Sequence, residues 1–257
     1  MSFLRSFVTA FSMFSRLPVP TLKWRDDNMR YMLAAFPFVG AAVGLFIWAW
    51  LFICDTLGFG VFLRSAGLTL LPVAVTGGIH LDGFCDTVDA LASHATQERK
   101  REILKDPHTG AFAVIGSASY LILYFALGTE LEITPLTPLL LGLMFILSRT
   151  FSGFSVLLFP SNAGKGLLST FKDASGKKAS VSVLAVIFVL CGAGLIYLNI
   201  VTGGAMVLAA LICLLYLYVM SRRQFGGMSG DLAGYFLQLC ELLMLAAIVI
   251  IQKVVSS

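Results

Sequence analysis

A helix needs roughly 20 consecutive apolar residues to cross the hydrocarbon core of a bilayer. This chain offers seven runs that reach or approach that length, at 32–57, 62–78, 111–131, 138–159, 180–198, 204–220 and 232–255. Little but a bundle of membrane helices can be made from such runs, because a helix satisfies its own backbone polar groups where no water can. Composition agrees. Of the 257 residues 58% are hydrophobic and 12% charged, with a mean hydropathy of +0.90, whereas soluble domains are about 45–50% apolar. The expected fold is therefore all-α, a polytopic integral membrane bundle of about seven transmembrane helices, with residues 1–257 forming one membrane-embedded unit. The runs 62–78 and 204–220 are short and Pro72 interrupts the former, so counts of six and eight also stand.

The opening stretch MSFLRSFVTAFSMFSRLPVP is broken by Arg5 and Arg16 and leads to no small-residue cleavage site, so no removable signal peptide is expected. Phe7, Phe11 and Phe14 recur at helical spacing before Pro18 and Pro20. That stripe fits an interfacial helix within an amino-terminal segment of residues 1–30, and fits a core-packing face equally well. The five cysteines never form a C-x-x-C pair, which points to neither a zinc cluster nor a disulfide framework.

Lysine and arginine fix an orientation. With seven spans, Arg5, Arg16, Lys23, Arg25 and Arg30 share a side with Arg99, Lys100, Arg101 and Lys105, with Lys165, Lys172, Lys177 and Lys178, and with Arg222 and Arg223. Arg64 and Lys253 fall on the other side, and Arg149 lies within a span. The crowded side is expected to be cytoplasmic. The net charge of +4 then reflects topology and attraction to anionic lipid rather than a nucleic-acid partner.

Against this background residues 77–112, GGIHLDGFCDTVDALASHATQERKREILKDPHTGAF, are conspicuous for their charge. In a helix starting near Leu81, Asp82, Asp86 and Asp89 fall on one narrow face, opposite Phe84, Val88 and Leu91. Stacked like charges repel unless a cation sits among them. Magnesium suits the stripe, because it prefers carboxylate oxygens, keeps several waters and is commonly shared with substrate phosphates. Aspartates on a solvated helix face look the same one by one; the third Asp, the Gly77-Gly78 break and the membrane-edge position distinguish this set.

Thr96 is placed to cap a following helix that carries Arg99, Lys100, Arg101 and Lys105 and stops before Pro107. Arg99, Arg101, Lys105 and His108 are candidates for holding substrate phosphates, with contact to anionic headgroups the plainer alternative. Residues 80–110 thus form a cytoplasmic acidic and basic motif segment. SNAGKGLLSTFKDASGKK reads as a mobile basic loop; Phe159 and Gly166 stand where a P-loop needs Gly and Ser or Thr. RRQFGGMSGDLAG sets Asp231 at the start of the last span, and Asp231 with Glu241 makes a candidate second acidic site. Within the bilayer Arg149 and Glu241 are costly unless paired, and Gln238 is spaced to join them.

GGIHLDGFCDTVDAL followed by REILKDPHTGAF resembles the signature of the cobalamin synthase family, the adenosylcobinamide-GDP ribazoletransferases. The resemblance extends to SRLPVP, FPFVGAAVG and GGMSGDLAGYFLQLCE, and so across essentially the whole chain. It departs at Gln238, where that family often has Glu. It implies a magnesium-dependent enzyme of a bacterial or archaeal inner or plasma membrane. The implied reaction takes adenosylcobinamide-GDP and α-ribazole, or its 5′-phosphate, to adenosylcobalamin, or its 5′-phosphate, and GMP. Asp82, Asp86 and Asp89 would hold the metal, and His80 and Asp106 are the candidates for general base; a neutral imidazole, with an ordinary pKa of about 6.5, suits neutral pH better than an exposed carboxylate. A homo-oligomer is compatible with the sequence. Two other classes also place acids in apolar proteins. An ion-coupled transporter would want them near the midplane, whereas Asp82, Asp86, Asp89 and Asp106 lie at an edge. A CDP-alcohol phosphotransferase would want A-R after its first acidic pair, and this chain lacks it.

Overall fold

The structure is a computed structural model and describes residues 2–20, 29–161 and 176–256. Lys165 and Lys172 of the expected basic loop, with Lys23 and Arg25, lie outside the described residues. The described residues form ten helices and no strand: α1 (Ser2–Phe14), α2 (Met32–Leu57), α3 (Val61–Thr76), α4 (Ile79–Ala92), α5 (Gln97–Ile103), α6 (Ala111–Glu130), α7 (Thr137–Leu158), α8 (Lys177–Leu198), α9 (Ile200–Phe225) and α10 (Gly230–Ser256).

Six of these, α2, α6, α7, α8, α9 and α10, are long and apolar enough to cross a membrane. A seventh is reached when α3, with 16 residues and Pro72 inside it, is taken together with α4 as one broken span. The chain bends by 97° between these two helices, at Gly77-Gly78, and α4 then lies along α6, with Phe84, Cys85 and Asp89 meeting Tyr120, Ser117 and Ala113. Both glycines have φ in the left-handed region, +66° and +79°, which a side chain would resist. The protein is thus a polytopic membrane bundle with six to seven apolar spans.

Successive spans alternate in direction. The start of α2, the end of α7 and the start of α8 meet through Leu33, Leu157 and Leu184. At the opposite end Trp50 of α2 donates its indole N–H to the Arg64 carbonyl of α3 (3.0 Å), and Lys253 of α10 pairs with Glu130 of α6. Arg99, Arg101, Lys177, Arg222 and Arg223 therefore share one end of the bundle, and Arg64 and Lys253 the other, as the seven-run reading expects. In lipid, helix association rests on close packing rather than on apolar burial, so small residues mark the contacts. Gly40 and Gly44 serve this way: a Cβ on either would overlap the α7 backbone, at Phe145 and Gly142. The phenylalanine stripe of α1 is a packing face. Phe11 and Phe14 meet Phe36 of α2, and the Phe7 ring lies tilted against that of Phe38.

Candidate active site

The motif helix α4 lies where spans α6 and α10 begin and α3 and α9 end. Two glycines press it against α10: a Cβ on Gly83 would sit 2.8 Å from the Asp231 carbonyl oxygen, and one on Gly234 would sit 2.9 Å from that of His80. This close crossing brings Asp231 into the field of the α4 aspartates. Burial and then the charges of Asp82, Asp231 and Asp89 push Asp86 up to about 6. Four carboxylates from two helices thus lie within electrostatic range of one another at one edge of the bundle. Asp231 also accepts from the Ser229 hydroxyl at 3.4 Å.

Asp89 has a second engagement. Its Oδ1 accepts the Ala113 N–H (3.3 Å) at the amino end of α6, where the helix dipole favours negative charge. A side chain at Gly110 would overlap this carboxylate, so the Gly in KDPHTGAF makes room for it. That leaves the other oxygen of Asp89 for a ligand.

The expected base candidates part company. His80 is 4% exposed, its ring set between Phe14 and Phe36, and its Nε2 has no hydrogen-bond partner. Burial, then the charge of Arg149, holds the imidazole well below its ordinary range, hence neutral. Asp106 is exposed and bonded to His108, accepting its backbone N–H (3.0 Å) and facing Nδ1 at 2.7 Å. Those bonds hold the Asp106 carboxyl below the usual carboxylate range. The loop bearing this pair runs directly into Gly110, against Asp89.

Thr96 caps α5 as its position foretells, accepting from the Arg99 N–H. Arg99 and Arg101 pair along the helix with Glu102 and Glu98 at 2.8 and 3.2 Å. Lys100 does something the sequence did not disclose: it is buried and donates to Gln224 (2.6 Å), while Gln97 donates to the Arg223 carbonyl (2.8 Å). These bonds occupy carbonyl and amide groups at the end of α9 and dock α5 there. Lys105 lies beyond the end of α5 and is exposed.

Asp231 and Glu241, grouped in the sequence as one site, serve separate places. They stand ten residues apart on α10, about 15 Å along its axis. Glu241 instead forms a direct ion pair with Arg149 of α7, both about 1% exposed. Ser148 completes this pair, accepting from Arg149 (2.9 Å) and lying 2.9 Å from Glu241 Oε1. Also missed in the sequence is the part of α1 and its exit: Ser12, Ser15 and Arg16 face Gly77, Gly78 and Asp82 across a cavity of about 600 Å³. The SRLPVP stretch was the available signal.

Comparison with known proteins meets this geometry. The family profile described as cobalamin-5-phosphate synthase matches residues 6–249. The chain belongs to the cobalamin-5-phosphate synthase family. An adenosylcobinamide-GDP ribazoletransferase of Lachnoclostridium phytofermentans is 38% identical over 99% of this chain and 97% of its own length. Proteins of the same name from Clostridium perfringens and Desulfitobacterium hafniense are 30% and 32% identical, over 93% and 94% of this chain and 95% of their own lengths. No solved structure matches the chain significantly. As a member of the cobalamin-5-phosphate synthase family the protein is a transferase of cobalamin biosynthesis embedded in a membrane.

Proposed function

We propose that this enzyme joins adenosylcobinamide-GDP to α-ribazole, or its 5′-phosphate, with release of GMP, at a magnesium-dependent site on the cytoplasmic face of the membrane. The names of its relatives carry the donor and the ribazole. The observation that carries the reading is the convergence of Asp82, Asp86, Asp89 and Asp231, whose mutual repulsion calls for a cation. Among the described residues no three His, Cys, Asp or Glu side chains close into a metal cage. Magnesium needs only one or two protein carboxylates, because it completes its shell with water and phosphate oxygens. Asp82, Asp86, Asp89 and Asp231 are the groups from which its one or two protein carboxylates would come, and when bound it would neutralise charge developing on the substrate phosphates.

In the reaction a ribose hydroxyl of the ribazole attacks the phosphorus that carries the corrinoid aminopropanol. A new P–O ester bond forms, the P–O bond to the GMP phosphate breaks, and GMP departs. The hydroxyl proton passes to the Asp106–His108 pair. A carboxylate can only accept, so His108 donates from Nδ1 and keeps Nε2 as its accepting nitrogen, on a side chain 90% exposed. His80, enclosed by aromatic rings, would have to be uncovered first, and its role here is to fill the space beneath α1.

The cytoplasmic placement rests on the lysines and arginines at the site's end of the bundle. Turnover tests the proposal. The purified chain in detergent, given adenosylcobinamide-GDP and α-ribazole, should release GMP with magnesium and not with a chelator. No GMP with either form of the acceptor, or equal rates with and without the metal, would overturn it.

A further inference from the structure

Arg16 lies where α1 has ended and the chain turns past the α3–α4 break. Its backbone N–H is pinned to the Val75 carbonyl (2.8 Å), and its side chain lies over Gly77, where any Cβ would overlap it. Arg99, Arg101 and Arg149 are each committed to a glutamate. The Arg16 guanidinium, in contrast, has no ion-pair or hydrogen-bond partner among the described residues, although it is positioned on the wall of the 600 Å³ cavity that also exposes Asp82. Ser12, Ser15 and Thr76 add hydroxyls to the same wall. Gly78 and Ile79, at the start of α4, line it as well, and Gly78 gives that helix no side-chain cap.

A guanidinium held by its stem with its fork free is arranged to take an oxyanion in two parallel hydrogen bonds. The cavity has the size of a small-ligand site, in the range of about 300–1,000 Å³. A nucleoside monophosphate fits such a volume; a corrinoid macrocycle with its side chains does not fit beside it. We infer that this cavity seats a nucleoside-sized phosphate, gripped at its phosphate by Arg16 and delivered to the acidic cluster at Asp82. The inference rests on the transfer reading above, in which two groups have this chemistry: the GMP portion of the donor, and α-ribazole 5′-phosphate.

Calorimetric titration of the full chain in detergent and magnesium buffer tests it, with GMP and α-ribazole 5′-phosphate as separate probes. Wild type should bind at least one of them, and the one it binds identifies the source. Arg16→Met should weaken that binding tenfold or more with little change in thermal midpoint, and Arg16→Lys should keep part of it. Wild type that binds neither probe, or Arg16→Met that binds as wild type does, overturns the inference. Should Arg16→Met fail to fold, Ser12→Phe, which fills the cavity from the α1 side, must lower affinity in its place; wild-type affinity there is equally fatal. Failure of the transfer reading is separately visible. Binding lost in Arg16→Met from a wild type that never releases GMP leaves the pocket standing without the reaction; full turnover with unchanged KM for both substrates in Arg16→Met leaves the reaction without this pocket.

Discussion

The bundle carries charge in two places, and they are built on opposite plans. Deep between α7 and α10, Arg149 and Glu241 meet directly and Ser148 closes the remaining gap, so the charges there satisfy each other. At the edge, Asp82, Asp86, Asp89 and Asp231 are gathered with the same sign, and Asp86 is pushed up to about 6 as a result. A membrane protein that completes its electrostatics in the interior is using charge to hold helices in register. One that leaves like charges together beside an opening has left a place for something that arrives.

Removing an edge charge should therefore cost function and not stability. Asp82→Asn and Asp86→Asn are expected to lower GMP release about 100-fold or more, the scale of losing one charge-stabilising group in a transition state. Both should melt no lower than wild type in metal-free buffer. The pH dependence has a definite sign. Because Asp86 is raised from 3.8 to about 6 in the folded protein, its contribution to stability is present below about pH 4 and lost as pH rises through 6. Metal-free wild type should thus lose thermal stability between pH 4 and 6.5 more than Asp86→Asn does. Equal slopes, or turnover at the wild-type rate, would erase the distinction between edge and interior. Asp89→Ala should behave as a hybrid, losing activity and also about 1 kcal/mol, as helix-capping side chains do.

The interior pair should show the converse. Arg149→Met or Glu241→Gln leaves one desolvated charge unpaired, at a cost of about 3–5 kcal/mol. The double variant should recover part of that loss, because the lone charge is the costly species. Strictly additive shifts in a double-mutant cycle on thermal unfolding would mean that the two residues do not act as a pair.

Which of these features could be read before the structure follows from how local each one is. Spans, the Thr96 cap, the shared face of the α4 aspartates and the sidedness of lysine and arginine depend on neighbours within a turn or on run length, and all were legible. The Arg149–Glu241 pairing was also within reach, since two deep charges in lipid have few other partners. What escaped is set by helix crossings. Asp231 joins Asp86 only because Gly83 and Gly234 let α4 and α10 touch. Asp89 caps a helix 24 residues away. Lys100, the middle of three basic residues in a row, is the one turned inward onto Gln224. Arg16 looked like topology until α1 was seen folded over the Gly77-Gly78 turn.

The crossing itself can be loosened. A methyl group at Gly83 meets the Asp231 backbone at 2.8 Å, and backbone cannot swing aside as a side chain can. Gly83→Ala should cost about 1–3 kcal/mol, the usual penalty of overpacking, and it should lower the apparent magnesium affinity by moving Asp231 away from Asp82. Gly234→Ala acts on the same crossing from the other helix and should do likewise. Loss of stability with unchanged magnesium dependence would show that Asp231 contributes nothing to the edge cluster.

The smallest effect is expected where sequence made the strongest electrostatic impression. Arg99 and Arg101 stand on α5 among other cations, yet each is bonded to a glutamate one turn away, and the Arg99 pair is about 63% exposed on both sides. Exposed pairs of this kind are worth less than about 1 kcal/mol, because water and salt screen them and ordering two long side chains costs entropy. α5 is instead anchored by Gln97 and Lys100, on its inward side. Arg99→Ala should thus leave the thermal midpoint nearly unchanged, and Lys100→Ala should lower it visibly by freeing α5 from α9. If Arg99 does grip a substrate phosphate, a ligand must first displace Glu102, and KM for adenosylcobinamide-GDP would then rise in Arg99→Ala while falling in Glu102→Gln. Opposite shifts in these two variants would move the basic helix into the active site; parallel or absent shifts would leave it as the brace that holds the loop to Gly110 in place.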